Sequence, residues 1–225
     1  MTIKQKQWQL WYLGYYAGGL DGIWGPLSRQ ATQNYQSESG LEADGIFGPL
    51  TEADSSQVIT GIQVLLGVEA DGLAGEQTKA ATEQWQAARG LEADGIAGPD
   101  TRQAMTRDRA YWKDITHFTP EEFVCKCGGR YCGGWPAMVR KPLLAAADRV
   151  RGHFGAAAIV SSGLRCESHN AAVGGVPGSR HRLGKAMDFR VVGKTAQQVL
   201  DYVARQPEIR YSYAIDSNYV HMDIL

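Results

Sequence analysis

GLEADGIFGPLT (40–51) and GLEADGIAGPDT (90–101) are two near-copies of one stretch, and the pattern around them decides how the first half of this chain is built. A shift of 50 residues also aligns Asp21-Gly22-Ile23 with Asp71-Gly72-Leu73, Gly25 with Gly75, Ala31-Thr32 with Ala81-Thr82 and Gln36 with Gln86, with one four-residue slip near positions 17–20. Such self-similarity marks a repeated structural module. The element DG(I/L)xG occurs at 21, 44, 71 and 94. Asp-Gly is turn chemistry: glycine takes positive φ without steric cost, and the Asp carboxylate bonds the backbone amides that follow. The Gly-Pro-x-(Ser/Thr) after most of these turns resembles a helix start, with Ser28, Thr51, Thr78 and Thr101 near the capping position. TQNYQSESGL (32–41) and TEQWQAARGL (82–91) read as helices with Tyr35 and Trp85 as matched core aromatics. Each copy is expected to be a three-helix unit tied by DGxxG loops, the first over 1–54 and the second over 55–106.

Charge divides the chain at the same place. Residues 1–106 carry 13 Asp/Glu against 6 Lys/Arg and residues 107–225 carry 11 against 17, although the whole chain is nearly neutral at -1. An acidic and a basic half suggest two domains with different partners. A basic half suits any polyanionic surface, wall polymers and nucleic acid alike, but no nucleic-acid-binding motif accompanies it, so none is expected as a partner. MTIKQKQWQLWYLGYYAGG (1–19) has no continuous apolar core of signal-peptide length. Neither a secretion signal nor a membrane insertion is expected, and the chain reads as a monomer.

The second half (107–225) alternates differently. HFTPEEF (117–123) gives a short capped turn, and PAMVRKPLLAAADRVRGHFG (136–155) has helical spacing with Met138, Leu143, Leu144, Ala147 and Val150 on one face. AAIVSSGLR (157–165) reads as a strand entering a loop, and a glycine-rich stretch (170–186) leads into the strand MDFRVV (187–192). KTAQQVLDYVARQ (194–206) is an amphipathic helix, and YSYAI (211–215) and YVHMDIL (219–225) are closing strands. This order predicts an α+β domain with a mostly antiparallel sheet. At the strand ends lie His181, Asp188 and His221. Two imidazoles and a carboxylate are a three-ligand set that leaves one position of a zinc ion for water, as a catalytic site needs. Four cysteines, Cys125, Cys127 and Cys132 in CKCGGRYC and Cys166 in GLRC, also fall in this half. Their spacing allows a disulfide clip, a second metal site or reduced thiols.

Two resemblances extend this reading. LGYYAGGLDGIWGPLSRQAT (13–32) with GLEADGIFGPLT, and its second copy, resembles the peptidoglycan-binding domain found beside many wall hydrolases; it covers residues 1–106 twice. The second copy has Ala74 and Ala97 where the first has Trp24 and Phe47, so if the apolar side chain after DGI grips glycan, Trp24 and Phe47 make the first copy the better binder of bacterial peptidoglycan. SSGLRCESHNAAVGGVPGSRHRLGKAMDFRV (161–191) followed by YVHMDI (219–224) resembles the zinc D-Ala-D-Ala carboxypeptidase and L-Ala-D-Glu endopeptidase family over about 115–225. That resemblance implies Zn2+ held by His181, Asp188 and His221, substrate and oxyanion binding by Arg165, and a substrate-side serine at Ser179. The family's usual general-base positions are occupied here by Asn218 and Tyr219. Asp223 is therefore favoured as the base, with a ligand-orienting role as its rival, and Asp216 is the other acid within reach. In relatives a cysteine after the FTxxEF turn bridges to one after SGxR, which implies a Cys125–Cys166 disulfide; a four-cysteine zinc site and free thiols are the competing readings. Together the two resemblances imply a modular endolysin-type peptidoglycan hydrolase, held in the host cytoplasm until released to the wall at lysis. A host wall-remodelling D,D-carboxypeptidase and an inactive wall-binding protein are the alternatives.

Overall fold

A computed structural model describes all of residues 1–225 as two units, Met1–Met105 and Thr106–Leu225. The first is all-helical, with α1 (Ile3–Tyr12), α2 (Pro26–Ser39), α3 (Pro49–Leu66), α4 (Glu76–Ala87) and α5 (Pro99–Arg107). Its connections are the four DG turns, and each is organised by one glutamine of the preceding helix. In the second turn the buried Gln36 amide donates to the Asp44 carboxylate (2.8 Å) and the Ile46 carbonyl (3.0 Å), while its oxygen accepts from Gly45 N–H (2.9 Å). Gln7, Gln63 and Gln86 make the same three bonds to the turns at 21, 71 and 94. The four turn glycines all take φ of 74–76°, a conformation costly for any residue with a Cβ.

The serine and threonine positions differ from the helix-cap expectation. The caps are glycines without a side-chain bond, such as Gly25 and Gly48, and proline opens α2 and α3. Ser28, Thr51, Thr78 and Thr101 lie inside the first turn, where each hydroxyl meets the same glutamine amide at 3.0–3.5 Å. The boundary expected between residues 54 and 55 falls within α3, one continuous helix. The copies interlock through α1 as well, because Gln9 donates to Gly72 O and accepts from Ala74 N–H, both at 2.9 Å. Two short modules thus bury one shared core, including Tyr12, Tyr35, Ile59 and Trp85. No helix of the chain is long and apolar enough to cross a membrane.

The second unit is an α+β domain. Strands β1 (Ala158–Ser162), β2 (Ala186–Val191), β3 (Ile209–Ala214) and β4 (Tyr219–Ile224) form one antiparallel sheet in the order β1-β2-β4-β3. Strand alternation sends Met187, Phe189, Val220 and Met222, all fully buried, to one face. Helices α6 (Lys141–Phe154) and α8 (Ala196–Val203) pack against these strands, with Leu143, Leu144 and Val150 of α6 also fully buried. The glycine-rich stretch is more ordered than its composition suggests: it holds part of α7 (Glu167–Ala172) and a 3-10 turn, Arg180–Leu183. Gly184 ends that turn at φ 67°, and a Cβ there would sit 2.1 Å from the Met138 carbonyl oxygen, so only glycine lets the turn close onto that segment.

Replacing Gln36 by leucine would keep volume while stranding the Gly45 N–H and Ile46 C=O. An unmet buried polar group costs about 1–3 kcal/mol, so urea unfolding of Gln36→Leu should show a loss of that order, whereas alanine at the exposed Gln30 should cost under about 0.5 kcal/mol.

Candidate metal centre

The face of the sheet opposite α6 and α8 carries one row of polar side chains. The register pairs Ser162 of β1 with Asp188 of β2, Asp188 with His221 of β4, and His221 with Tyr213 of β3. Because alternate strand residues share a face, these four stand side by side across the sheet. His181 reaches the row from the 3-10 turn that precedes β2.

Asp188 is the hub. Its Oδ1 lies 2.7 Å from His221 Nδ1 and 3.2 Å from His181 Nε2, and its Oδ2 accepts from Arg165 Nη2. The ligand atoms of His181, Asp188 and His221 all fall within 4.8 Å of one another, and all three residues are buried. Burial works against ionisation of Asp188, but bonds from His181 and His221 and the charge of Arg165 outweigh it and hold the carboxyl well below the usual range. For His221, burial favours the neutral ring, yet Asp188 and Asp223 together raise its basicity.

The two rings are oriented from outside the cluster. His181 Nδ1 bonds the Gly163 carbonyl oxygen at 2.8 Å, and His221 Nε2 faces Asp223 Oδ2 at 3.3 Å. The nitrogen that each ring turns to Asp188 is therefore the one left to hold a cation when unprotonated. Two converging nitrogens, a carboxylate oxygen and outer partners that set each ring's orientation fit zinc.

The remaining site residues expected from the sequence divide. Arg165 joins the cluster, with Nε donating to Ser162 Oγ at 2.7 Å. Ser179 is buried at the start of the His181 turn, its carbonyl accepting from Arg182 N–H (3.0 Å). Asp223 belongs to the same face but lies against the Nε2 edge of His221, not the Nδ1 edge where the three ligand atoms meet, and it also pairs with Arg210 at 3.3 Å. That placement is the one the ligand-orienting alternative requires. Asp216 is outside the cluster altogether: exposed, it accepts from Asn218 and Tyr219 N–H at 2.8 Å and staples the β3–β4 turn. The expected Cys125–Cys166 disulfide is absent, since all four cysteines are free and their sulfurs form one group. In the first unit Phe47 is 3% exposed and packs edge-on to Trp24.

Two residues of the centre were not anticipated. Tyr213 stacks on the His221 ring (4.9 Å between centroids), and burial, with Asp188 nearby, raises its hydroxyl above the ordinary value. Ser162 supports Arg165. The alternation of Tyr211 and Tyr213 in a strand beside YVHMDI was the available signal for the first, but only the register identifies which tyrosine meets which residue.

Comparison with known proteins agrees with this arrangement. The peptidase M15 family matches residues 116–223. The second unit is a peptidase M15 domain. A peptidoglycan binding domain matches residues 2–53 and again 63–105, leaving between them most of the part of α3 that the copies share. Curated relatives include spore cortex-lytic enzymes of Halalkalibacterium halodurans (39% identical over 51 residues) and Oceanobacillus iheyensis (44% over 50 residues). A third is the N-acetylmuramoyl-L-alanine amidase CwlM of Mycobacterium tuberculosis (45% over 49 residues). Each match covers 22–23% of this chain and only 16%, 18% and 12% of the respective relative. The chain thus joins a peptidoglycan-binding unit to a peptidase domain and is similar in part to cell-wall lytic enzymes.

If Asp223 orients His221, Asp223→Asn should weaken metal binding by about 10–100-fold, read by competition with a chromophoric chelator, and excess zinc should restore most of the activity. An activity loss that zinc leaves untouched would return Asp223 to the role of base.

Proposed function

We propose that this chain is a zinc-dependent, endolysin-type peptidoglycan hydrolase that cuts an amide bond of the stem peptide or cross-link. The observation that carries the reading is the convergence of His181 Nε2, Asp188 Oδ1 and His221 Nδ1 on the open face of a peptidase M15 sheet. These residues would hold the ion, which when bound supplies a polarised carbonyl and a water with its pKa lowered to about 7.

The protein's own groups do the rest. Gly163 O and Asp223 keep the two imidazoles presented. Arg165 spends Nε on Ser162 and Nη2 on Asp188. A guanidinium has five donors in a fixed fork, so the others can take a stem-peptide carboxylate or the oxygen on which negative charge develops. Tyr213, whose hydroxyl stays protonated at neutral pH, supplies a second hydrogen-bond donor at the edge of the row.

Wall binding is assigned to a groove of about 520 Å³ in the first copy, lined by Ile3, Lys6, Trp24, Arg29, Asp44 and Ile46, with Phe47 as its floor. An indole beside charged and amide groups suits a sugar, which offers an apolar ring face and hydroxyls. The second copy has alanine at both aromatic positions, and the first is therefore the main binder. A wall-binding unit joined to a peptidase favours an enzyme that acts on intact wall, stored inside the host and released to the wall at lysis.

Purified sacculi should be solubilised by the chain, with activity abolished by chelator, restored by zinc and lost in His181→Ala. Mass spectrometry of the products should show cleaved stem peptides or cross-links; release of terminal D-Ala alone would point instead to a carboxypeptidase, and no product at all would overturn the enzyme. In a sacculus pull-down, Trp24→Ala should retain several-fold less protein than the parent, and unchanged retention would move the binding site away from the groove.

A further inference from the structure

The peptidase reading leaves four cysteines unused, and they are not scattered. The sulfurs of Cys125, Cys127, Cys132 and Cys166 all lie within 4.8 Å of one another, from residues that are buried (Cys125, Cys166) or half-buried (Cys127, Cys132). Three come from one tight knuckle, closed by Cys125 N–H to Gly134 O (2.8 Å) and Arg130 N–H to Cys127 O (3.1 Å), and the fourth caps α7. Gly128, Gly129 and Gly134 take φ of 62–92° and let the knuckle turn that sharply.

We propose that these four cysteines are the ligands of a second, structural zinc ion. Two disulfides would draw the sulfurs into separate bonded pairs, whereas here all four lie within 4.8 Å of one another. Cys127 and Cys132 Sγ are 3.6 Å apart, close to the edge of about 3.8 Å that a tetrahedron with zinc–sulfur bonds of about 2.3 Å requires. Every sulfur is also approached by backbone N–H groups. Cys166 N donates to Cys125 Sγ, Gly134 N to Cys132 Sγ and His169 N to Cys166 Sγ, each at 3.4 Å, and Tyr131, Cys132 and Gly129 donate to Cys127. Thiols are weak acceptors, and a shell of donors aimed at four sulfurs suits thiolates, which at this spacing need a cation between them. Four soft thiolate ligands select zinc and would fill its tetrahedral coordination with no position left for water, so the site is structural, not catalytic. Binding releases the thiol protons and involves no oxidant.

Its location gives it a task. Cys166 directly follows Arg165, and Leu164 N–H bonds Phe123 O (2.8 Å) next to the knuckle. Fastening Cys166 to the knuckle fixes the 163–166 segment, which delivers the Gly163 carbonyl to His181 and the Arg165 guanidinium to Asp188.

Metal analysis of chain purified under reducing conditions and loaded with zinc tests this separately from the peptidase centre. The parent should hold two zinc ions. His181→Ala/His221→Ala should keep one, and its cobalt-substituted form should show intense sulfur-to-cobalt charge-transfer absorption. Cys127→Ser/Cys132→Ser should lose that absorption, and should lose peptidase activity through a misplaced Arg165 even with the His/Asp site loaded. Should the cysteine variant not fold, the histidine variant decides alone. A histidine variant with no metal and four titratable thiols would overturn the proposal, as would a parent chain four hydrogens lighter than its reduced form. A single thiolate-bound ion, unchanged in the histidine variant, would support it while overturning the catalytic zinc.

Discussion

Asp188 of β2 stands directly opposite His221 of β4, and the hydrogen bond between them depends on a register that the other face of the same strands enforces. Met187 pairs with Met222 and Phe189 with Val220, all fully buried. A slip of one residue would turn this apolar set to solvent and the carboxylate and imidazole into the core. The burial of four large side chains thus holds two polar ones in place, and the metal centre is built at the expense of no separate scaffold.

Around that pair the sheet works as a ruler. Ser162, Asp188, His221 and Tyr213 occupy one level across four strands, so each neighbour of the hub has a distinct edge of it. One oxygen of Asp188 faces the two imidazoles and the other faces Arg165. The carboxylate is buried and fully engaged, which is the condition under which such a charge is tolerated. His181 and Arg165, which do not lie on strands, need other anchors: Gly184 closes the turn of the first, and the cysteine knuckle adjoins the segment of the second.

The first unit solves a different problem with a similar economy. Its modules are too small to bury much apolar surface separately, so they share α1 and α3. Loops between helices leave backbone groups without partners, and one glutamine per turn satisfies a donor and an acceptor while holding the Asp that caps the same turn. In the sequence, Gln36 and Gln86 stood out through the 50-residue repeat, but Gln7 and Gln63 did not: Gln7 precedes its turn by 14 residues and Gln63 sits in the helix that the copies share.

Local chemistry was readable from the chain itself. Asp-Gly turns, helical and strand periodicities and the α+β class depend on residue type and short spacing, which a sequence displays directly, whereas His221, 33 residues beyond Asp188, joined His181 and Asp188 as a candidate ligand through the family resemblance. Tertiary structure alone decided roles that depend on which edge of a group faces which neighbour. Asp223 and His221 are two residues apart on any strand, yet whether the carboxylate meets Nε2 or the metal-binding edge depends on ring orientation, fixed by Asp188 from the adjacent strand. Phe47 and Trp24 occupy matched positions in their turns, yet packing buries the first as the floor of the groove that the second lines. Cys125 and Cys166, paired by resemblance to relatives, share their pocket with Cys127 and Cys132. In each case the deciding contact comes from a distant segment, and its direction is set only when the core closes.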